Sequence, residues 1–366
     1  MKLEGRLTAR PACLLCLQAF CQEGALVSVM NLLSLALHFA AASMLAACPA
    51  AFAQFPSPSP SAEDITSISL ASSQLHPDPP DLVEKDVQPE YISEWIKVQW
   101  RSDDPIYLYV VRPTNVPKPP VVIYLYDYPA ETDIFRNSDW CEHVTAGGYA
   151  AVGLVPALNG QRYHSRPMKE WFVSELQEAL AKSAHDVQMV LNYLSERGDV
   201  DMNNVGIFGV GAGATIAVAA ASADSRIKAI DLVDPWGNWP VWMAKSNVIP
   251  GEERSRYIKP DFLGGVSPFD PVSLLPRLTT PRVRLNQCAE NSLTPSDASS
   301  KIEAALPPGA ERRRLVDGAQ FDPLVASGGK DFDWLKLQLK LQDSKPVSKT
   351  TRGGVSSDHQ SGCRNK

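Results

Sequence analysis

The stretch "VGIFGVGAGATIAV", beginning at Val205, constrains the fold more than any other. A short apolar run ends in Gly209-Val210-Gly211-Ala212-Gly213, and an Ala-rich stretch of helical composition follows. Glycines packed this densely open backbone conformations closed to other residues and let a strand and a helix approach closely. Such a turn has two chemical uses. It can present N–H groups to a dinucleotide phosphate, or it can form the sharp bend that mounts a nucleophile at its centre. Here the centre is Gly211.

The rest of the chain repeats the alternation. "WIKVQWRS" from Trp95, "IYLYVVRP" from Ile106, "VVIYLY" from Val121 and "YAAVGLVP" from Tyr149 have the β-branched and aromatic content of strands. "SDWCEHVTAGG" predicts a short helix closed by Gly147-Gly148. Residues 175–196 carry Leu176, Leu180, Val187, Val190, Leu191 and Leu194 at helical spacing. After the glycine turn, "IKAIDLVD", "PRVRLNQC" and "RRRLVDG" read as strands, and "DASSKIEAALP" and "FDWLKLQLKL" as helices. The pattern predicts an α/β fold with a mainly parallel central sheet and helices on both faces.

Outside this region the composition changes. Residues 25–53 hold no charge and are rich in Leu and Ala, with Lys2, Arg6 and Arg10 upstream. Ala51-Phe52-Ala53 before Gln54 matches a small-residue cleavage site, so 1–53 reads as a secretory leader and the protein as exported, periplasmic or secreted. Met30 is an alternative start. Two other readings rank behind: Leu45-Ala46-Ala47-Cys48 resembles a bacterial lipobox that would lipidate Cys48, and an uncleaved leader would be a membrane anchor. Residues 54–90, with "FPSPSPSAED" and "HPDPPDLVEKD", read as a Pro-rich linker, and 341–366 as a disordered polar tail. That leaves 91–340 as one folded domain.

A formal net charge of −6 leaves no basic footprint for nucleic acid. No zinc-ligand spacing or Walker motif occurs, and no cofactor or metal is expected. Cys13-x-x-Cys16 lies in the leader without a second pair, which argues against a metal site there.

The dinucleotide reading rests on Gly209-x-Gly211-x-x-Ala214, with Asp231 and Asp234 about 20 residues on, where a ribose-binding acid would sit. It would make the chain a nucleotide-binding oxidoreductase. Its weakness is position, since several strand candidates and a long helix precede the motif.

More of the chain follows the second reading. "HDVQMVLNYLSERGDVDMNNVGIFGVGAGATIAVAAA" resembles the segment leading through the nucleophile elbow of α/β hydrolases, most closely the dienelactone-hydrolase and prolyl-oligopeptidase-like members. "VSPFDPVSLLPRLTTPRVRL", "NQCAENSLTPSDASSKIEAALP" and "LVDGAQFDP" resemble, in order, the approach to the acid strand, the acid loop and the histidine loop. The resemblance implies the α/β-hydrolase fold over 91–340.

Carried over position by position, it also implies a lost triad. The elbow pattern G-x-S-x-G puts the nucleophile at Gly211, which has no side chain. The acid position falls on Asn291, which accepts a hydrogen bond but brings no charge to an imidazolium. The histidine position falls on Gln320 or Phe321, neither a general base near neutral pH. Asp234, after the strand that follows the elbow, is an alternative acid and equally a turn residue. Cys288 reads as a core thiol, Glu290 as a solvated loop charge, and His164 as a loop histidine within reach of the sheet's upper face.

The resemblance further implies an oxyanion hole. One donor would be the Ala212 N–H, the other an N–H of the loop Tyr126-Asp127-Tyr128-Pro129. Such donors could hold a small carbonyl or carboxylate ligand without any serine. Trp236, with Trp239 and Trp242, is expected either at the mouth of this pocket or in the core. The expected protein is therefore an exported hydrolase-fold chain acting through a ligand or a protein partner. An active hydrolase with a non-standard site is the alternative.

Overall fold

The structure is a computed structural model. It describes residues 63–101, 104–128, 133–158, 162, 172–280, 282–289, 294–315 and 333–340. The leader, Cys48, His164, Glu290, Asn291, Gln320, Phe321 and the tail lie outside the described residues.

The described residues form a nine-stranded sheet in the order β1-β2-β3-β5-β4-β6-β7-β8-β9. The strands are β1 (Asp81–Val87), β2 (Tyr91–Gln99), β3 (Pro105–Pro113), β4 (Pro120–Leu125), β5 (Ala150–Leu154), β6 (Asp201–Val210), β7 (Ile227–Val233), β8 (Arg282–Cys288) and β9 (Glu311–Leu315). β1, β2 and β3 pair antiparallel, and β3 meets β5 antiparallel. Every pairing from β5 through β9 is parallel.

The helices are α1 (Ser138–Thr145), α2 (Leu176–Arg197), α3 (Ala212–Ala223), α4 (Trp239–Lys245), α5 (Arg254–Tyr257), α6 (Pro260–Val266), α7 (Pro271–Leu274), α8 (Ser296–Ala304) and α9 (Asp333–Lys340). Side chains alternate along β4 between two cores. Val121 and Ile123 face the apolar sides of α2 and α3, while Val122 and Tyr124 join Trp140 of α1 and Leu335 and Leu339 of α9. Central strands buried on both faces explain why "VVIYLY" and "NVGIFG" read as unbroken apolar runs.

β5 and β6 lie on opposite sides of β4. The chain thus winds outward in both directions from β4, and its strand ends leave a crevice at that reversal, where open α/β sheets place their ligands. Asp127 lies two residues after β4, and Gly211 directly follows β6.

The linker expected over 54–90 is, from residue 63 onward, part of the fold. β1 pairs with β2 through its backbone while all seven of its side chains stay exposed, so hydropathy gives it no signature. Ile65, Ile68, Leu70 and Leu75 pack on the core. The Glu63 carboxylate accepts from Arg101 Nε and Nη2, both at 2.5 Å, and pairs with His185 Nδ1 at 2.7 Å. Prolines and acids in this stretch mask an anchored strap.

Candidate functional site

β6 delivers the elbow as the sequence predicts. Gly211 has φ 54° and ψ −117°, a region that side chains rarely tolerate and glycine enters freely. Its N–H donates to the Val233 carbonyl at 2.9 Å, and its carbonyl accepts from Thr215 N at 3.2 Å in the first turn of α3. The flanking glycines serve packing. A Cβ on Gly213 would lie 2.2 Å from the Leu125 carbonyl oxygen, and one on Gly209 would lie 2.6 Å from Ala214 Cα. These contacts between strand and helix account for the G-x-G-x-G spacing with no pyrophosphate.

The dinucleotide reading fails on two further points. β6 is the sixth strand and sits mid-sheet, not at the head of a nucleotide-binding unit. Asp231, its proposed ribose ligand, is fully buried; its carboxylate takes a bidentate pair from Arg284 at 2.8 and 2.5 Å and a bond from Asn286 Nδ2 at 2.7 Å.

Across the C-terminal ends of the parallel strands runs a row of groups: Asp127 after β4, Gly211 after β6, Asp234 after β7 and Cys288 closing β8. Asp234 is buried with φ 42°, and its Oδ1 accepts the Cys288 N–H at 3.1 Å. Its own N–H donates to the Asn286 carbonyl at 3.0 Å. Cys288 is buried and is in no disulfide.

Asp127 is the residue sequence reasoning undervalued. The chain alone places it only in the donor loop. In the structure its carboxylate lies against the Gly211 turn. The Ala212 N–H donates to Asp127 Oδ1 at 2.7 Å, and the Tyr128 N–H donates to the same carboxylate. A Cβ built on Gly211 would meet Asp127 Oδ1 at 2.1 Å, Cγ at 2.2 Å and Oδ2 at 2.5 Å. The space that a side chain at position 211 would need is therefore filled by the Asp127 carboxylate. Burial pushes the Asp127 carboxyl up to about 7; the two N–H donors oppose the rise and the nearby Asp234 charge adds to it. An acid just after an apolar parallel strand was the available signal, because such strand ends face the crevice.

The other predicted ligand contacts divide. Ala212 and Tyr128 are at the site. Tyr126 is not: its ring packs on Phe135 and Phe208, and its hydroxyl accepts from Trp140 Nε1 at 2.9 Å. Trp236 has no exposed surface and stacks on Trp242 with centroids 4.5 Å apart, so it belongs to the core and not to an open mouth. A cavity of about 730 Å³ lies elsewhere, between the strap and α2, against Leu70, Leu75, Trp100, Met189 and Tyr193; it touches none of the row. Among the described residues, no cluster of three or more His, Cys, Asp or Glu side chains could hold a metal ion.

The sheet order, the reversal at β4 and the positive-φ elbow at the end of β6 decide the architecture. This is an α/β-hydrolase fold. The dienelactone hydrolase family model matches residues 106–233, which run from β3 through β7 and include Asp127 and the elbow. No curated protein matches the hydrolase-fold chain in sequence. Solved structures share its fold at low identity. Acetyl xylan esterase 1 from Thermoanaerobacterium sp. superposes with a TM-score of 0.56 at 14% identity, covering 74% of this chain and 89% of the esterase. An acetyl xylan esterase from Paenibacillus sp. gives 0.55 at 17% identity, covering 76% and 90%. An S-formylglutathione hydrolase from Agrobacterium tumefaciens gives 0.50 at 14% identity, covering 71% and 99%.

Proposed function

We propose that this hydrolase-fold protein has lost serine-hydrolase catalysis and acts by binding, through a pocket at the Gly211 turn that takes a small carbonyl or carboxylate compound or a group on a protein partner. The observation that carries the reading is the Asp127 carboxylate held by Ala212 N–H in the place of a nucleophile's side chain. A hole already occupied by an anion cannot stabilise a developing oxyanion, and Gly211 offers nothing to attack with. The sequence assignments at Asn291 and Gln320 agree with this.

The purified protein should form no covalent adduct with a serine-directed fluorophosphonate and should hydrolyse activated esters at the background rate. Gly211→Ser alone should restore nothing: the hydroxyl would lack a general base, and its Cβ would collide with Asp127. The combination Gly211→Ser, Asn291→Asp and Gln320→His should regain turnover only with Asp127→Ala added. Robust ester turnover by the unmodified protein would sink the proposal.

A second reading keeps catalysis and uses Asp127 and Asp234 as an acid–base pair. The observation favouring it is the Asp127 carboxyl at about 7, the range that suits proton transfer at neutral pH. Ester turnover lost on Asp234→Ala is its signature.

We further infer export, from the uncharged apolar stretch at 25–53 and the Ala51-Phe52-Ala53 pattern. Among the described residues no helix is long and apolar enough to cross a membrane. Mass spectrometry of the mature N-terminus should find Gln54. A lipidated Cys48 or an intact leader would replace this with a lipoprotein or an anchored protein.

A further inference from the structure

We infer that Asp127 is a resident plug of the Gly211 site, and that a ligand carboxylate enters only when the Asp127 side chain takes up a proton and withdraws. The inference rests on the binding reading above and adds how the site is regulated. Its geometric basis is that donors from two separate elements converge on one carboxylate. Ala212 N–H at the start of α3 reaches Oδ1 at 2.7 Å, and Tyr128 N–H comes from the loop after β4. The absence of a side chain at Gly211 leaves the room that the carboxylate fills. The same donors would hold an external carboxylate in the same way, so the two compete for one place.

The charged group that acts on Asp127 among the described residues is Asp234, from the end of β7. The other groups acting on it among the described residues are the backbone N–H groups of Ala212 and Tyr128. Bringing a second anion beside Asp127 and Asp234 while both are ionised is opposed by charge repulsion. Protonating Asp127 removes one charge and weakens its hold on the two N–H groups, and a ligand carboxylate of ordinary acidity remains ionised over the same range. Binding is then linked to the uptake of one proton above the Asp127 midpoint, and each further pH unit weakens it tenfold. With the carboxyl at about 7, a carboxylate should bind about thirty-fold more weakly at pH 8.5 than at pH 5.5.

Formate is the direct probe, because Asp127→Ala deletes a group of its size. The full-length protein should bind formate with this pH dependence, measured by NMR titration. Asp127→Ala should bind it equally at pH 5.5 and 8.5, and at pH 8.5 about thirty-fold more tightly than the unmodified protein. Asp127→Asn, which keeps the shape but cannot titrate, should also lose the pH dependence and serves if the alanine variant does not fold. The 13C resonance of the Asp127 carboxyl reports the same proton directly, with an expected midpoint near 7. The plug is refuted if Asp127→Ala gains no affinity for formate, if the pH slope persists without Asp127, or if the carboxyl titrates at an ordinary carboxylate value. Failure of the binding reading looks different: ester turnover appears, whatever formate does.

Discussion

Arg101→Ala should lower stability by on the order of 3–5 kcal/mol. Arg101 is the hub of a buried charge network. It holds Glu63 by two bonds of 2.5 Å, and its Nη1 donates to Asp186 Oδ1 at 2.5 Å. Asp186 is fully buried in α2 and takes its second bond from Arg162 at 2.7 Å; Arg162 in turn pairs with Asp104 at 2.9 and 2.5 Å. Removing the hub leaves Glu63 and Asp186 short of positive charge in a low-dielectric interior, where an incomplete ion pair costs far more than the complete pair contributes.

The pH dependence gives a separate readout. Burial works against ionising Glu63, yet hydrogen bonds from Arg101 and His185 hold its carboxyl down to about 2, against an ordinary 4.5. A depressed carboxyl contributes stability that is complete above the ordinary value and is lost as pH falls toward the folded one. The unmodified protein should therefore weaken as pH drops from about 4.5 to about 2, and Arg101→Ala should show a shallower decline over that window. Urea unfolding across this range checks it, and limited proteolysis should cut first within the 63–75 strap. Lys245→Ala, which breaks an exposed and solvent-screened pair with Asp297, should leave stability almost unchanged. Equal losses from the two variants would mean that the Arg101 network is not a stabilising clamp.

Gly213→Ala should cost on the order of 3 kcal/mol or leave no folded protein. The added Cβ would lie 2.2 Å from the Leu125 oxygen, 2.6 Å from its carbonyl carbon and 2.8 Å from the Tyr126 oxygen. All three are backbone atoms at the end of β4, so no rotamer change relieves the overlap. α3 must back away from the sheet, and its inner face is packed without free volume: Ala214, Ala217 and Val218 have no exposed surface. The movement would also draw Ala212 N–H away from Asp127. Thermal unfolding should show a large drop, with the Asp127 carboxyl moving as well. Gly264→Ala is the matched control, since its Cβ meets nothing within 4 Å and it lies inside a helix. It should be neutral or raise stability by up to about 1 kcal/mol. Should both variants prove equally stable, close approach of α3 to β4 does not explain the glycine.

The repeating pattern of the sheet and its helices is legible in the amino-acid chain alone. Strands buried on both faces read as short apolar runs, α2 carries a helical stripe, and a glycine-rich junction between strand and helix has few conformations open to it. The chain alone also shows that Gly211 could not attack a substrate, because that conclusion needs only the residue type at the bend. Tertiary structure decided what fills the bend. Asp127 and Ala212 are 85 positions apart and meet only because the sheet order sets β4 beside β6. Trp236 and Tyr126 looked like a pocket wall by position, yet both are core, since an aromatic beside a strand end can turn inward or outward and packing alone chooses. The strap and β1 were invisible for a related reason. β1 is held by backbone hydrogen bonds, which carry no side-chain signature, and Glu63 is held by an arginine and a histidine that the fold brings to it from 38 and 122 positions away.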